Sequence, residues 1–438
     1  VSELEIGLLV AVSTIGVLLI GVPVAFSLGI VAIGFLLVFE GVDSLVLVPS
    51  HFFGALDSFA LLSIPMFILM GGAIASSRAG ADLYEALDRW LYRVPGGLMV
   101  SNIGACAVFA ALSGSSPATC AAIGKMGIPE MLKRGYPPSI ATGAIAAGGT
   151  LGILIPPSIT MIVYGIATET SIGRLFLAGL VPGVMLTVFF ICWGLYAAKK
   201  GGMDLAPEGL HYSFKQKIEI LPKVGPFLAI IAGILYVLYG GIATPSEAAG
   251  VGALLSVLLV VLIYKVRSGK QLWAMTSEAM KESVMILMII AAADLFSYMM
   301  STLYITQTLA ETIANLEINR WALMASINLF LLVAGFFLPP VAVILMAAPT
   351  LLPIIEAMGF DAIWFAVVLT INMEIGLITP PVGLNLYVIN GIVPDVRLPT
   401  ILKGALPFMV AMVLGIVLLG IFPKLATWLP TYLMGPQL

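Results

Sequence analysis

The sequence predicts an all-α polytopic membrane protein built from two inverted-topology repeats, each with a re-entrant helical hairpin and a broken helix. Three observations predict it: an apolar excess, two apolar stretches interrupted near their middle, and a self-similarity at an offset of 224 residues. The 438 residues are 61% hydrophobic and 10% charged, whereas a soluble domain is about 25% charged. With a mean hydropathy of +1.12, the chain has no polar shell, and at roughly 20 residues per span it has room for about ten crossings of a lipid bilayer. A net charge of −3 gives no support to a cationic nucleic-acid surface.

In chain order, spanning runs lie at 4–20, 22–39, 59–76, 139–167, 175–197, 224–240, 246–265, 283–300, 362–389 and 404–423. Two further stretches, 98–129 and 322–356, are interrupted by SGSSP at 113–117 and by GFFLPP at 335–340. Gly, Ser and Pro interrupt helices there, so each stretch reads as two short helices that turn back inside the membrane. The alternative is a pair of ordinary spans joined by a tight turn. Both readings preserve side, so charge fixes orientation alone. With the N-terminus outside, the loops at 77–97, 125–138, 198–223, 265–282 and 394–403 are cytoplasmic and hold 17 of the 20 Lys and Arg residues. Arg174, Arg320 and Lys424 remain outside with both termini, as the positive-inside rule requires. The loop at 198–223 is the longest polar segment and too short for a domain, and residues 1–77, free of Lys and Arg, lack a signal-peptide n-region.

Sliding the chain by 224 positions lays Pro129 on Pro353, Gly135 on Gly359, Gly152 on Gly376, Pro156 on Pro380 and Pro157 on Pro381. The halves are 1–223, with hairpin 98–129 and broken helix 139–167, and 224–438, with hairpin 322–356 and broken helix 362–389. Five spans per half is an odd number, so the second copy is upside down and the hairpins enter from opposite sides. That is an architecture of secondary transporters. The sequence offers no catalytic constellation, and no enzyme is expected. Cys106, Cys120 and Cys192 read as buried small hydrophobes, and with only His51 and His211 they form no metal cluster. No GxxxxGK[ST] loop occurs, so neither ATP hydrolysis nor an organic cofactor is expected.

The breaks carry the candidate chemistry. In AGGTLGILIPPS (147–158) and EIGLITPPVGLN (374–385), the proline pairs Pro156–Pro157 and Pro380–Pro381 open the helix, while Gly152 and Gly376 allow another backbone to approach. Freed carbonyls in hydrocarbon need protein, water or an ion as partner. Ser113, Gly114, Ser115 and Ser116 form the first hairpin tip; Gly335, Phe336, Phe337, Leu338 and Pro339 form the second. Carbonyls at helix C-terminal ends, with hydroxyls, suit Na+, and amides at N-terminal ends suit a carboxylate. Ser116, Thr150, Pro157, Pro381 and Asn385 are the candidate substrate residues, although Ser and Thr in membrane helices also bond back to their own carbonyls. Asp294 and Glu374 lie inside apolar runs, where a carboxylate is either an ion-coupling group or a structural hydrogen-bonding one. Residues 82–92 place Leu83, Leu87 and Leu91 on one face of an interfacial helix, and 302–317 and 265–282 read similarly.

The runs SGSSPATCAAIGKMGIPEM (113–131), GYPPSIATG and GGTLGILIPPSITMIVYGIATETSIGRLFLAGLVPG (within 135–183), ATPSEAAG (243–250) and GFDAIWFAVVLTINMEIGLITPPVGLNLYVING (359–391) resemble the large membrane (DctM-like) subunit of tripartite ATP-independent periplasmic (TRAP) transporters. The resemblance covers essentially the whole chain. It implies a sodium-driven importer of the bacterial inner membrane, with periplasmic termini. The hairpin-bearing transport domain would move as an elevator against a scaffold domain, the two being interleaved in sequence. It also implies a small four-helix membrane subunit and a soluble periplasmic binding protein that delivers a carboxylate-bearing small molecule. In that picture Ser113, Gly114, Ser115, Gly152 and Pro156 match one ion site, and Gly335, Gly376, Thr379 and Pro380 the other, with Asp294 a further candidate. Two positions depart from the family pattern: Pro339 stands where an acidic residue is common, and Asp361-Ala362 where Asp-Pro is usual. The competing reading is a self-sufficient sodium- or proton-coupled organic-anion carrier that needs no binding protein.

Overall fold

The computed structural model describes residues 2–94, 96–200, 212–315 and 319–436, and among these every regular element is helical. Helix α1 (Glu3–Leu19) opens on a capping box between Ser2 and Glu5, and α2 (Val24–Phe39) starts after Pro23. A short turn leads through α3 (Val48–Leu56) to α4 (Ser63–Ala75) and α5 (Ala79–Leu91). The first interrupted stretch is α6 (Gly97–Ser113) and α7 (Ser116–Lys133); the first broken helix is α8 (Pro138–Thr150) and α9 (Ile159–Ala167). Then come α10 (Ile172–Lys200), α11 (Phe214–Glu219), α12 (Leu221–Tyr239), α13 (Pro245–Leu262), α14 (Gly269–Thr302) and α15 (Ile305–Asn315). The chain closes with α16 (Arg320–Phe337), α17 (Pro340–Ala357), α18 (Ala362–Leu377), α19 (Leu384–Ile392), α20 (Leu398–Ile421) and α21 (Lys424–Met434). Shifted by 224 positions, the starts of α6 to α9 fall within one residue of those of α16 to α19.

The ten expected spans are not ten long helices. Among the described residues seven helices (α10, α12, α13, α14, α16, α17 and α20) are long and apolar enough to cross a membrane, or eight if the bent pair 42–75 is one span. The reason is local. α1 and α2 have 17 and 16 residues. The chain leaves helical geometry at Asp57 and Ser58 and bends by 58° before α4. The runs at 139–167 and 362–389 are each split at their prolines. α16 and α17, at 18 residues each, rise about 27 Å, so length alone does not separate a re-entrant arm from a crossing.

Three smaller expectations are corrected. The stretch 265–282 is not a separate interfacial helix: from Gly269 it runs without a break into the 34-residue α14, whose rise of roughly 50 Å carries its basic end beyond the apolar part. In the second tip Gly335, Phe336 and Phe337 are still helical, and the turn consists of Leu338 and Pro339, because Pro340 is tolerated in the first turn of the next helix. Cys106 and Cys120 are buried, but Cys192 is exposed on α10. The loop expected at 198–223 lies partly outside the described residues.

Packing falls into two groups. α2 packs on α14, α14 on α4 and α4 on α13, while α6 to α10 and α16 to α20 form a second group that α4 and α14 touch through α6, α7, α9 and α17. α5 lies against α6, α7 and α12 with Leu83 and Tyr84 buried. Protein, rather than lipid, covers much of its apolar face. Arg134 at the end of α7 holds it there, reaching Asp88 at 3.2 Å and Glu130 at 3.0 Å. Desolvation opposes the charge on Arg134, and the neighbouring Asp88 and Glu130 outweigh it, raising the guanidinium pKa.

A close crossing joins α8 and α20: a Cβ on Gly404 would collide with the Ser139 carbonyl, and one on Gly143 with the Gly404 backbone. Gly404→Val is expected to cost about 1–3 kcal/mol, read as a lower thermal unfolding midpoint in detergent. Gly250→Ala, where nothing lies within 4 Å of the added carbon, serves as the control and should leave the midpoint unchanged or slightly higher.

Candidate functional site

The first tip is set by its dihedrals. α6 ends at Ser113, Gly114 takes a left-handed conformation at φ +57°, and Ser115 is extended before Ser116 starts α7, with Pro117 in its first turn. Ser113 Oγ and Thr119 Oγ1 are 2.6 Å apart, and they lie 3.1 and 2.9 Å from the Ser115 carbonyl oxygen. Two hydroxyl protons cannot fill three such contacts, so oxygen lone pairs remain to spare. A hard cation that prefers oxygen fits that donor set. Thr119 was not singled out from the sequence; its place one turn after a Ser-rich tip was the available signal.

The first break packs on this tip from two sides. α8 ends at Thr150, a short turn covers 151–153, and a cis Pro156–Pro157 bond precedes Ser158, which caps α9 by accepting the Met161 amide at 3.3 Å. A Cβ on Gly152 would stand 2.6 Å from the Ser115 carbonyl oxygen, and one on Gly114 3.0 Å from the Pro157 carbonyl oxygen. Thr150 does not reach into the gap. Its hydroxyl donates to the Ala147 carbonyl of its own helix at 2.6 Å.

The second break repeats the pattern. α18 ends at Leu377, Pro380–Pro381 is cis, and α19 starts after Gly383. A Cβ on Gly376 would collide with the Gly335 carbonyl, and the Val382 amide donates to the Phe336 carbonyl at 3.3 Å. Thr379 Oγ1 donates to the Ile375 carbonyl at 2.6 Å. Asn372 donates to Asn328 and ties α18 to α16; sequence reasoning missed this pair, whose only signal was two amides within apolar runs. The two halves differ in exposure: Pro156 and Pro157 are buried, Pro380 and Pro381 exposed.

Asn385 connects the halves. Its Nδ2 donates to Ser116 Oγ at 2.8 Å and to the Ala146 carbonyl at 3.2 Å. Ser113, Gly114, Ser115, Ser116, Gly152, Pro157 and Asn385 therefore come together, as do Gly335 and Gly376; Thr379, Pro380 and Pro381 lie in the second break itself. Asp294 joins neither set. It is half-exposed on α14, 3.3 Å from His51 Nδ1, and the His51 ring stacks on Tyr298 at 3.9 Å. With Glu169, Ser297 and Pro349 it lines a cavity of about 820 Å³ to which no residue of the tips or breaks contributes.

Comparisons with known proteins show what the chain is similar to as a whole. The family profile described as "Tripartite ATP-independent periplasmic transporter, DctM component" matches residues 11–425. The chain is 36% identical to the C4-dicarboxylate TRAP transporter large permease protein DctM of Vibrio cholerae, covering 98% of each. It is 32% identical to the ectoine TRAP transporter large permease protein TeaC of Halomonas elongata (95% of this chain, 96% of that one). Identity to the sialic acid TRAP transporter large permease protein SiaM of Vibrio cholerae is 30% (96% and 97%). Among solved structures, the Alcanivorax borkumensis YdaH transporter, described as having an unusual topology, is similar in fold: TM-score 0.65, 14% identity, 92% of this chain and 91% of that one.

Gly152→Ala tests the contact between tip and break. It is expected to push the Ser115 carbonyl away and speed amide hydrogen exchange over 113–119 about tenfold, for a strain of about 1.4 kcal/mol. Unchanged exchange there would show that the two segments do not rest on each other.

Proposed function

The chain belongs to the tripartite ATP-independent periplasmic transporter family as a DctM component, and on that premise we propose that it is the large membrane subunit of a sodium-driven importer of organic acids in the bacterial inner membrane. The observation that carries the reading is the pairing of each helix break with the hairpin of its own half, Gly152 on Ser115 and Gly376 on Gly335. Two such pairs, 224 positions apart, are what two inverted repeats would use to build one site near the middle of the membrane. Na+ binds among the oxygens of Ser113, Ser115 and Thr119 at one pair and beside Gly335, Gly376 and Thr379 at the other. The solute lies between them, near Ser116 and Asn385.

The two packing groups give this site a way to move. α6 to α9 and α16 to α19, with α10 and α20, form the elevator body; α2, α4, α13 and α14 form the frame it slides against. Both termini are periplasmic, an orientation that the distribution of Lys and Arg supports, with α6–α7 entering from the cytoplasm and α16–α17 from the periplasm. A soluble periplasmic binding protein captures the solute, and a small four-helix membrane subunit completes the frame. The relatives named for C4-dicarboxylates, sialic acid and ectoine act on solutes that all bear a carboxylate, which supports a carboxylate as the recognised group here.

Reconstitution in liposomes with the cognate small subunit tests the whole reading. Uptake of an organic acid is expected only with an inward Na+ gradient and the binding protein present, and unaltered by ATP. Flux by the chain alone, or flux that ignores Na+, would instead support a self-sufficient carrier.

A further inference from the structure

The helix that resumes after each break is carried by the opposite half. α9, which follows the first break, packs on α17, and α19, which follows the second, packs on α7 and α8. The two crossings differ in chemistry. At the second, Asn385 in the first turn of α19 donates through Nδ2 to the hydroxyl of Ser116, the first residue of α7, at 2.8 Å. The same Nδ2 donates to the Ala146 carbonyl of α8 at 3.2 Å. Asn385 and Ser116 are fully buried, and Asn385 Oδ1 has no partner, so these two N–H contacts are what orients the amide.

At the first crossing, the positions 224 residues away are Met161 and Pro340. A thioether and a pyrrolidine ring offer each other no hydrogen bond. α9 does tie to the second half through Tyr164, whose hydroxyl donates to the Ala362 carbonyl at 2.9 Å. That contact lies at the opposite end of α18 from Gly376, far from the second break.

The Asn385 contact stands one residue from the oxygens of the first tip. The carbonyl of Ser115 and the amide nitrogen of Ser116 belong to one planar peptide unit. A cation that draws the Ser115 carbonyl in beside the hydroxyls of Ser113 and Thr119 therefore also sets where Ser116 stands. On the other side of the contact, α19 begins after Gly383 with no side chain capping its first amides. Those amides edge the second break, and amides at a helix start suit a carboxylate.

We propose that Asn385 is a positioning residue that couples the first ion site to the second break. The inference rests on the sodium reading above and adds to it the route by which the ion orders the solute end of the site. With Na+ at the first tip, Ser116 is fixed, Asn385 is held and the first turn of α19 is ordered. Without Na+, the Ser115–Ser116 peptide is free to turn, the amide loses one of its two contacts and the start of α19 loosens. Linkage makes the effect mutual, so whatever orders α19 also tightens Na+ at the first tip. The second tip and α9 lack this route.

The test is amide hydrogen exchange on the full chain purified with its small membrane subunit, in NaCl against KCl at equal ionic strength. In the unaltered protein Na+ is expected to slow exchange over 113–119 and, about tenfold, over 384–389. In Asn385→Ala and in Ser116→Ala the slowing over 113–119 should remain, while that over 384–389 falls below about twofold. Ser116→Thr, which keeps the hydroxyl, should preserve both. If Asn385→Ala does not fold, Ser116→Ala decides. A role in packing alone would speed exchange of α19 in both salts and leave their ratio intact, and that result overturns the inference. So does an unaltered protein in which Na+ slows 113–119 but not 384–389, and the sodium reading then stands. Absence of any Na+ effect over 113–119 in the unaltered protein overturns both.

Discussion

A helix opened in hydrocarbon leaves amides and carbonyls that only protein, water or an ion can satisfy. That constraint organises this molecule. The gaps after Thr150 and Leu377 persist because the Gly114–Ser115 tip and the last turn of α16 at Gly335–Phe336 press against them, leaving no room for a side chain at Gly152 or Gly376. Tip and break are thus packed on each other, joining α6 to α9 in one half and α16 to α19 in the other.

The polar residues follow from the same constraint. Ser158 caps the helix that resumes after the first break, and Asp361 caps α18 by accepting the Trp364 amide at 2.8 Å. The Asp-Ala sequence at 361–362 thus still starts a helix without the proline. The hydroxyls of Ser113 and Thr119 gather round one carbonyl, and the amides of Asn328, Asn372 and Asn385 bond across helices. Apolar packing supplies the bulk of contact, but these few oriented dipoles decide which segments meet.

Local chemistry was legible in the sequence; distant encounters were not. Paired prolines with a glycine four residues earlier marked both breaks, and SGSSP bracketed the first tip, whose turn is Gly114 and Ser115 between the ends of α6 and α7. GFFLPP misled by three residues, since Gly and Phe continue a helix when the following proline can occupy a first turn. Asp294 looked intramembrane from its own run. Its partner His51 comes from 243 positions away, and no local pattern announces such a meeting. The helix bounds near 265–282 failed for the opposite reason: charge changed there, but backbone propensity did not.

The amide of Asn385 has a consequence for the history of the two halves. It reaches Ser116 and Ala146, 269 and 239 positions back along the chain, so a duplicated ancestor of this chain, once it acquired that stitch, could no longer let its copies diverge independently. Chimaeras that exchange one whole half with a homologue should tolerate the swap only when donor and acceptor preserve both ends of the same stitch, whatever their similarity elsewhere.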